Sequence, residues 1–490
     1  MNIASLKNCL RTLLVITLGL PLVITPVQAA SSKTKPNVLL IIADDLNDWI
    51  GPLHGNPQVK TPNLDKLAAR GMTFRNAQAS APLCNPSRAS FMSGRRPSTT
   101  GIYDNDQPAM PNLPRDFCLN QYLRQFGYTS LGAGKIYHYH NYRPEDWDDV
   151  VFYADDTLPN HDAVRRPGPF GYRMFTEDKP DAAFNEQRAE SKLVDAQSVS
   201  WCIDKLKQQK STFFMTCGIH RPHTPWDVPK KYFDLYPLDS IQLPSVSTDD
   251  LADIPSAGLE MAHNGIQHSA IVKAGVWKDR VRAYLAAVSY ADAQIGRLLD
   301  ALEKSGQQEN TTIIFVGDNG WHLGQKEHWS KSALWRQATR VPLIWVAPGI
   351  TKAGTECETA VDLTSIFPTV CELAGVPVPK HVEGISIKPL LANAKAKWKR
   401  PAISTFLQGN HAVCTADWRY IHYADGSEEL YNEKADPLEW KNEAANPKLS
   451  SVKKDLAKYL PALNATPVPH KSADGPKGKK GKRKKGGEAE

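Results

Sequence analysis

The sequence predicts an α/β protein with one large sheet flanked by helices and a smaller C-terminal subdomain built on an antiparallel sheet. The first observation is a series of continuous apolar runs, such as residues 37–43 and 311–317. Runs of this kind are typical of strands that are buried on both faces of a sheet. The second observation is that helical patterns lie between these runs, as in doubly wound domains. The third is a change to hairpin-like sequence after residue 400.

The apolar runs that predict strands of the large sheet cover residues 37–43, 213–217, 311–317 and 342–346. Residues 61–67 predict a capped helix start, with Thr61 directly before Pro62. Residues 281–304 have apolar side chains at helical spacing, and this pattern ends before Gly306. The alternation of strands and helices therefore extends over most of the chain.

Residues 418–423 and 429–431 flank the Asp425-Gly426 pair, and this pattern predicts an antiparallel hairpin. Residues 452–460 predict a helix that closes the subdomain. The segment that follows is rich in Pro, Gly and Lys, a composition that does not form a core. We therefore expect a signal peptide (1–30), a main domain (31–400), a C-terminal subdomain (401–462) and a disordered basic tail (463–490).

The charge of the chain is concentrated at its two ends. Of 490 residues, 41% are apolar and 23% are charged, which excludes a chain that is disordered throughout. The net charge is +7, of which residues 471–490 contribute +5 and residues 1–30 contribute +2. The folded part therefore has no basic excess, and the sequence does not predict a nucleic-acid partner.

Residues 1–30 have the pattern of a secretory signal peptide. Lys7 and Arg11 precede an apolar run at residues 13–24, and Val27-Gln28-Ala29 is a small-residue cleavage pattern. An uncleaved anchor is the alternative, although the run is short beside the ~20 apolar residues of a spanning helix. No later stretch is long and apolar enough to span a bilayer. We expect export to the periplasm or the extracellular space, or to the lysosome in a eukaryote.

Two of the predicted strands end in acidic or amide side chains. Asp44 and Asp45 follow the first run, and Asp318 and Asn319 follow the run at residues 311–317. In open α/β sheets, ligands bind beyond the carboxyl ends of the strands. Four oxygen-bearing side chains without Cys or His favour Ca²⁺, or Mg²⁺, over zinc. The sequence therefore predicts a site for a hard divalent cation at this edge.

The most specific segment begins at Cys84. Residues 84–88 read C-N-P-S-R, and a run of small residues then leads to Gly94-Arg95. This segment resembles the signature of the type I sulfatases, in which the cysteine is oxidised to formylglycine by a maturation enzyme. The resemblance implies that Cys84 is both the nucleophile and a metal ligand. It also accounts for the odd number of cysteines, seven, that remain after Cys9 leaves with the signal peptide. Pairings among the other six cannot be assigned from sequence.

The resemblance extends over residues 36–460 and is greatest to the iduronate-2-sulfatase group. It implies an alkaline-phosphatase-like fold with a large mixed sheet and hydrolysis of sulfate esters on a carbohydrate such as a glycosaminoglycan fragment. Short motifs shared with the family imply roles for single residues. Arg88 would orient the nucleophile and the metal ligands, and Lys135 and Lys331 would bind the sulfate. His138 would act near the nucleophile, and His220 would protonate the leaving group. His223, Trp321 and His322 are expected to contact the sugar, with a structural role as the alternative for each.

Two further interpretations stay open at this point. Some relatives use the same nucleophile on phosphate or phosphonate monoesters, and an inactive relative would only bind carbohydrate. Asn319 also departs from iduronate-2-sulfatase, which has His at that ligand position, although Asn is common in the wider family. The loop at residues 249–278 has no counterpart that we recognise. Since such loops determine specificity, the sugar, the sulfate position and the choice between exo and endo action remain open.

Overall fold

The computed structural model describes residues 35–138, 143–152, 190–264 and 268–470. The predicted signal peptide and residues 471–490 of the predicted tail therefore lie outside the described residues. The strands, in chain order, are β1 (Asn37–Asp44), β2 (Met72–Phe74), β3 (Ala77–Gln78), β4 (Thr129–Gly134), β5 (Asp149–Val151), β6 (Phe213–Pro222), β7 (Thr311–Gly317), β8 (His322–Leu323), β9 (Trp329–Ser330), β10 (Arg340–Val341), β11 (Leu343–Val346), β12 (Thr355–Cys357), β13 (Val361–Asp362), β14 (Ala402–Thr405), β15 (His411–Cys414), β16 (Trp418–His422) and β17 (Glu428–Asn432).

The helices alternate with these strands, and short 3₁₀ turns complete several of the connections. They are α1 (Pro62–Arg70), α2 (Cys84–Ser93), α3 (Pro97–Thr100), α4 (Ala109–Asn112), α5 (Leu119–Arg124), α6 (Val194–Gln208), α7 (Lys230–Phe233), α8 (Ser256–Ala262), α9 (His268–Lys273), α10 (Trp277–Lys304), α11 (Arg336–Thr339), α12 (Ile366–Ala374), α13 (Lys388–Ala392) and α14 (Ser450–Ala457).

The main sheet has eight strands in the order β12-β2-β11-β7-β1-β6-β4-β5. Strand β1 is central and pairs in parallel with β6 and β7. Only β11 runs against its neighbours, β7 and β2, and it makes the sheet mixed. Together with the helices and the antiparallel C-terminal sheet, this arrangement confirms the predicted fold class.

Side chains of β1 alternate between two buried layers because both faces of the sheet are covered. Leu39 and Ile41 pack in the layer that contains helix α10. Leu40 and Ile42 pack on the opposite face, in the layer that contains helices α2 and α12. All eight residues of β1 are buried, which explains the continuous apolar run in the sequence.

The predicted elements are present, with differences at their ends. Strand β6 continues five residues beyond the apolar run, through the polar residues His220 and Arg221. Helix α10 begins at Trp277, four residues before the predicted start at 281. At helix α1, Thr61 makes no cap hydrogen bond, and the side chain of Asp292 accepts from the backbone N–H groups of Asn63 and Leu64 instead.

The C-terminal sheet has the order β14-β15-β16-β17 and is antiparallel throughout. Its strands β16 and β17 form the predicted hairpin, and helix α14 follows. The tail was expected to be disordered from residue 463, but the backbone N–H groups of Ala465 and Val468 donate to the carbonyl groups of Ser98 and Gly101. These contacts lie within the expected tail and order its first eight residues against the main domain.

The helices and the cysteines were compared with the requirements of a membrane span and of a disulfide. Within the described residues, no helix combines the length and the apolar composition that crossing a membrane requires. The seven cysteines from Cys84 onward are buried, and none of them forms a disulfide in this part of the chain.

Candidate active site

The carboxyl ends of β1 and β7 bring the predicted acidic residues together. Ala43 pairs with Gly317 in the sheet, so the residues that follow each strand emerge side by side. The backbone N–H of Asp45 donates to Asp318 Oδ1 at 3.0 Å, which fixes one turn to the other. Asp45 has a φ of 59°, a left-handed conformation that aspartate tolerates better than most residues.

Cys84 is the first residue of helix α2. All ten residues of this helix are buried. The Cys84 Sγ lies 3.2 Å from Asp44 Oδ1 and 2.7 Å from Lys331 Nζ. The N-terminus of helix α2 therefore faces the acidic ends of β1 and β7. The helix dipole is positive at this end and favours anions. Helix α2 ends at Gly94, whose φ of 70° suits glycine at that position.

Arg88 lies one turn further along helix α2 and is fully buried. Its Nε donates to Asp318 Oδ2 at 2.6 Å, and one terminal nitrogen donates to Asp44 Oδ1 at 3.2 Å. The other terminal nitrogen donates to the carbonyl groups of Lys135 and Ile136. One guanidinium thus joins the ends of β1, β4 and β7.

The two predicted lysines approach two adjacent carboxylates, those of Asp44 and Asp45, from different strands. Lys135 follows β4, and its Nζ forms an ion pair with Asp44 Oδ2. Lys331 follows β9, and its Nζ lies 2.5 Å from Asp45 Oδ1. We refer to the six charged residues as the acid–base cluster: Asp44, Asp45, Asp318, Arg88, Lys135 and Lys331. Three acidic and three basic groups in this cluster balance each other without any added ion.

Burial and opposite charges act against each other in the acid–base cluster. Burial opposes ionisation of Asp44, but the charges of Lys135 and Arg88 hold its pKa well below the usual value. Burial alone would lower the pKa of Lys331, and the nearby Asp45 carboxylate raises it well above the usual range instead. The pKa of the Cys84 thiol is raised by burial and by Asp44, so the thiol is neutral near pH 7.

The oxygen atoms at the two strand ends fit a hard cation. Asp45 Oδ2 and Asn319 Oδ1 are buried and accept no hydrogen bond within the described residues. Asn319 Nδ2 donates to Asp45 Oδ1 at 2.7 Å, so it is the amide nitrogen of Asn319, and not its oxygen, that takes part in this hydrogen bond. Ligand atoms of Asp44, Cys84 and Asp318 all lie within 4.8 Å of one another. Buried oxygens without partners are costly unless an ion or water satisfies them.

A second group that could hold a metal shares Asp44 with the first. Ligand atoms of Asp44, His220 and His223 also lie within 4.8 Å of one another. The two rings lie 4.8 Å apart, and His220 is buried whereas the His223 side chain is 23% exposed. Burial and the charge of Lys135 lower the pKa of both histidines well below the usual value, so both are neutral in the free protein.

His138 is partly buried at the end of the segment that follows β4. Burial lowers its pKa to about 2, and the charges of Lys135 and Lys331 act in the same direction. His138 follows Lys135 of the acid–base cluster by three residues in the chain. His140, two residues further along the chain, lies outside the described residues.

Trp321 and His322 have different surroundings although they are adjacent in sequence. Lys331 Nζ lies 5.8 Å from the centre of the Trp321 ring, and the Trp321 Nε1–H has no acceptor within the described residues. His322 is fully buried, and its ring packs against His328 and Trp335. The structure therefore places Trp321 beside the acid–base cluster, whereas the ring contacts of His322 point to the structural alternative.

Several residues that sequence reasoning did not single out position the site. Ser87 Oγ donates to the carbonyl of Asp318 at 2.5 Å. Asp195 accepts from the backbone N–H groups of His220 and Arg221 and so fixes the end of β6. Tyr284 donates its hydroxyl to the carbonyl of Asp45 at 2.8 Å. Ser87 lies in the C-x-P-S-R motif, which was a usable signal, but Asp195 and Tyr284 act through long-range packing and had none.

A loop with unusual backbone geometry directs Lys331 towards Cys84. Lys326, Glu327, Ser330 and Ser332 all have positive φ. His328 is buried, and its two ring nitrogens contact the carbonyl groups of Lys331 and Ala262. Strain of this kind persists only where the surrounding structure holds it, and it is common at functional sites. His328 thus supports the position of Lys331.

Comparison with protein families gives two matches that together cover residues 36–466. Residues 36–376 match the sulfatase family, and residues 324–466 match the C-terminal region of N-sulphoglucosamine sulphohydrolase. The first match includes every residue of the acid–base cluster.

Curated relatives extend the match over most of the chain. A sulfatase of Formosa agariphila is 38% identical over 465 residues, which are 90% of this chain and 89% of that protein. Iduronate 2-sulfatase of Homo sapiens is 30% identical over 398 residues, which are 72% of this chain and 71% of that protein.

Solved structures show the same fold at lower identity. Phosphonate monoester hydrolase of Agrobacterium radiobacter superimposes with a TM-score of 0.73 at 21% identity, covering 87% of this chain and 94% of its own. A structure determined in complex with its substrate D-glucosamine-2-N,6-O-disulfate superimposes with a TM-score of 0.70 at 21% identity, covering 87% and 97%. At this identity the likeness concerns the fold and not the substrate.

Proposed function

Because this chain belongs to the sulfatase family and is a sulfuric ester hydrolase, we propose that it removes sulfate from a carbohydrate with a formylglycine made from Cys84 and with a bound Ca²⁺. The observation that carries the proposal is the position of Cys84, which is the first residue of a buried helix and lies within the acid–base cluster. Mg²⁺ is the second candidate for the cation, since it prefers the same oxygen ligands.

The surroundings of position 84 suit oxygen better than sulfur. A neutral thiol is a weak hydrogen-bonding group, yet Cys84 Sγ lies between the Lys331 ammonium and the Asp44 carboxylate. A hydrated aldehyde supplies two hydroxyl groups at this place, one of which is the nucleophile. The C-x-P-S-R motif supports conversion by a formylglycine-generating enzyme, which we propose as a maturation partner.

The cation site is proposed at Asp44, Asp45, Asp318 and Asn319 together with position 84. When bound there, Ca²⁺ neutralises the negative charge of the sulfate group, which otherwise repels a nucleophile. The two unpartnered oxygens, Asp45 Oδ2 and Asn319 Oδ1, support this assignment. A hard cation prefers the oxygen ligands of this group to the imidazoles of the second group, which contains His220 and His223. We therefore assign proton transfer to His220 and substrate contact to His223.

Lys135 and Lys331 provide positive charge on both sides of position 84. Their Nζ atoms lie 3.8 and 2.7 Å from Cys84 Sγ, so both can reach oxygens of a sulfate group attached there. Arg88 does not need to contact the substrate, because its hydrogen bonds hold Asp44 and Asp318 in place. Preorganised cations of this kind stabilise the charge that develops in the transition state.

His220 is proposed as the proton donor to the leaving oxygen and His138 as the group that acts near the nucleophile. Both are neutral in the free protein, because burial and the lysines lower the pKa of each ring. A bound sulfate ester adds a negative charge that opposes the lysines and raises the pKa of a neighbouring imidazole. Protonation of His220 would therefore be coupled to substrate binding, which suits a general acid.

Sugar contacts are proposed for His223 and Trp321, which lie beside the acid–base cluster. His223 is the partly exposed histidine of the pair, and the unpartnered Trp321 Nε1–H could donate to a sugar oxygen. A carbohydrate substrate is supported by the names of relatives, including an N-acetylglucosamine-6-O-sulfatase of Bacteroides thetaiotaomicron that is 25% identical. The N-terminal sequence pattern supports export, so we propose a periplasmic or extracellular enzyme, or a lysosomal one in a eukaryote.

Two measurements test the proposal. Peptide mass spectrometry of active enzyme should find the aldehyde or its hydrate at position 84, and fully active enzyme with an unmodified thiol would refute the mechanism. Turnover of 4-nitrophenyl sulfate should exceed turnover of 4-nitrophenyl phosphate and phenylphosphonate esters. A defined panel of sulfated oligosaccharides should then identify the sugar, and a panel without any desulfated member would contradict a carbohydrate substrate.

A further inference from the structure

A cavity of about 330 Å³ lies away from the acid–base cluster, at the opposite end of helix α2. Helix α2 has ten residues and is therefore about 15 Å long. Cys84 begins this helix, whereas Arg96, which lines the cavity, follows its end by three residues. The cavity, called here the Arg400 cavity, is bounded by side chains of Arg96, Trp398, Arg400, Ile403, Lys458 and Tyr459 among others.

The acidic groups of the Arg400 cavity are already engaged. Asp362 Oδ2 accepts from Arg96 at 2.9 Å and from the Ile403 N–H at 3.2 Å. The second oxygen of Asp362 accepts from the N–H of Thr364. Glu383 accepts from the backbone N–H of Arg96 at 2.7 Å. Asp362 is therefore paired with a cation, and one oxygen of Glu383 is engaged by a backbone N–H.

Two hydrogen-bond donors of the Arg400 cavity, the Arg400 guanidinium and the Trp398 Nε1–H, remain without partners within the described residues. Arg400 is exposed and makes no hydrogen bond or ion pair within the described residues. The Trp398 Nε1–H is buried at the wall and has no acceptor in the same part of the chain. A guanidinium and an indole N–H cannot accept hydrogen bonds. A ligand that satisfies both must present acceptors, and a sulfate ester presents acceptor oxygens and a negative charge.

Aromatic surface and additional charge lie around these donors. Tyr459 is 39% exposed, and its hydroxyl donates to the carbonyl of Lys399 at 3.3 Å, which fixes the ring at the rim. Lys395, Lys397 and Lys399 are exposed in the segment that leads to Arg400. Aromatic side chains with an apolar face and a polar edge suit sugar rings, and guanidinium groups bind planar or tetrahedral oxyanions in pairs of hydrogen bonds.

We propose that the Arg400 cavity is a second, non-catalytic site for a sulfated carbohydrate. The inference deepens the proposed function, because it takes the same class of ligand as the substrate. A chain of linked sugars held at this cavity would raise the effective concentration of its other sulfate groups at Cys84. The site would therefore lower KM for a polymeric substrate and leave turnover of a small aryl sulfate unchanged.

The test uses the full-length enzyme and sucrose octasulfate as the probe, with sucrose as the neutral control. Hydrogen–deuterium exchange should show protection of residues 395–403 by the sulfated probe only. For Arg400→Gln, the concentration of sucrose octasulfate that gives half of the protection should rise on the order of tenfold. This is the usual effect of losing one charge-assisted hydrogen bond. Trp398→Phe keeps most of the packing and removes the N–H, and it should weaken protection in the same direction.

Lys352→Gln is the matched control, because Lys352 is an exposed cation that does not line the cavity. It should leave both the protection and the aryl sulfate turnover unchanged. The inference fails if residues 395–403 show no protection, or if Arg400→Gln and Lys352→Gln have equal effects. Loss of aryl sulfate turnover in Arg400→Gln would also overturn it. An inactive wild-type enzyme would refute the proposed function instead, since the exchange experiment does not depend on turnover.

Discussion

Substitution of Lys331 tests the charge balance of the acid–base cluster, because it should lower turnover and raise the affinity for Ca²⁺. Its ammonium lies 2.5 Å from Asp45 Oδ1 and 2.7 Å from Cys84 Sγ, and the side chain is 8% exposed. Lys331→Met keeps an unbranched apolar stem and removes the charge. We expect turnover to fall, because a cation beside the sulfate is lost. We expect affinity for Ca²⁺ to rise, because the same ammonium competes for Asp45.

The size of each effect follows from the contacts. Loss of one preorganised donor at a developing negative charge reduces kcat by roughly 10²–10³. Two unit charges ~4 Å apart interact by ~4 kcal/mol at an effective dielectric constant of ~20. A flexible lysine moves away from an incoming ion and avoids most of this repulsion. We therefore expect about 1.4 kcal/mol, which corresponds to roughly tenfold tighter Ca²⁺ binding.

Calcium titration of chelator-treated protein and kcat for 4-nitrophenyl sulfate are the two measurements. Lys326→Met is the control, since Lys326 is a buried lysine of the same loop that pairs with Asp250 instead of the acid–base cluster. It should lower the melting temperature, because Asp250 loses its partner, without tightening Ca²⁺ binding. The reasoning is refuted if Lys331→Met binds Ca²⁺ no more tightly than wild type or if kcat changes by less than about threefold.

Four further predictions concern the nucleophile, the cation, the proton donor and the sugar. Cys84→Ala should abolish turnover and keep the circular dichroism spectrum, because alanine is a good helix former at the first position of α2. Asp45→Ala should abolish Ca²⁺ binding, and metal-free protein that remains fully active would contradict the site. His220→Ala should reduce turnover of a sugar sulfate on the order of 10²-fold, and that of an aryl sulfate by the same factor or less. Trp321→Ala should impair only the sugar substrate, so equal losses on both substrates would refute that assignment.

The central strands were predictable because burial on both faces produces continuous apolar runs. Residues 37–43 and 311–317 became β1 and β7 for this reason. The direction of β11 was not predictable from its own sequence, since an apolar run does not show whether its neighbours are parallel. Residues 464–468 are held by backbone hydrogen bonds to Ser98 and Gly101. The composition of this segment does not predict these bonds.

The acidic part of the site was predictable from the ends of the strands, but the geometry around it was not. Asp44 and Asp318 follow apolar runs, and parallel pairing alone brings such positions together. The C-x-P-S-R motif was recognisable, but the wholly buried helix that begins at Cys84 was not predicted, because Pro86 and small polar residues give a weak helical pattern. His328 could not be recognised, because its contacts with Lys331 and Ala262 depend on a loop with positive φ angles.

The balance of three acidic and three basic groups explains how one site can bind both a cation and an anion. Arg88, Lys135 and Lys331 neutralise Asp44, Asp45 and Asp318 while no ligand is bound, so the buried cluster does not repel itself. With a cation held by Asp44, Asp45, Asp318 and Asn319, Lys135 and Lys331 would be free to meet an incoming sulfate. The neutral amide of Asn319 fits this scheme, because a fourth carboxylate would leave the cluster with a net negative charge whenever the cation is absent. An Asn319→Asp variant should accordingly bind Ca²⁺ more tightly and lose stability in chelator, and unchanged stability in chelator would show that the charge balance is not needed.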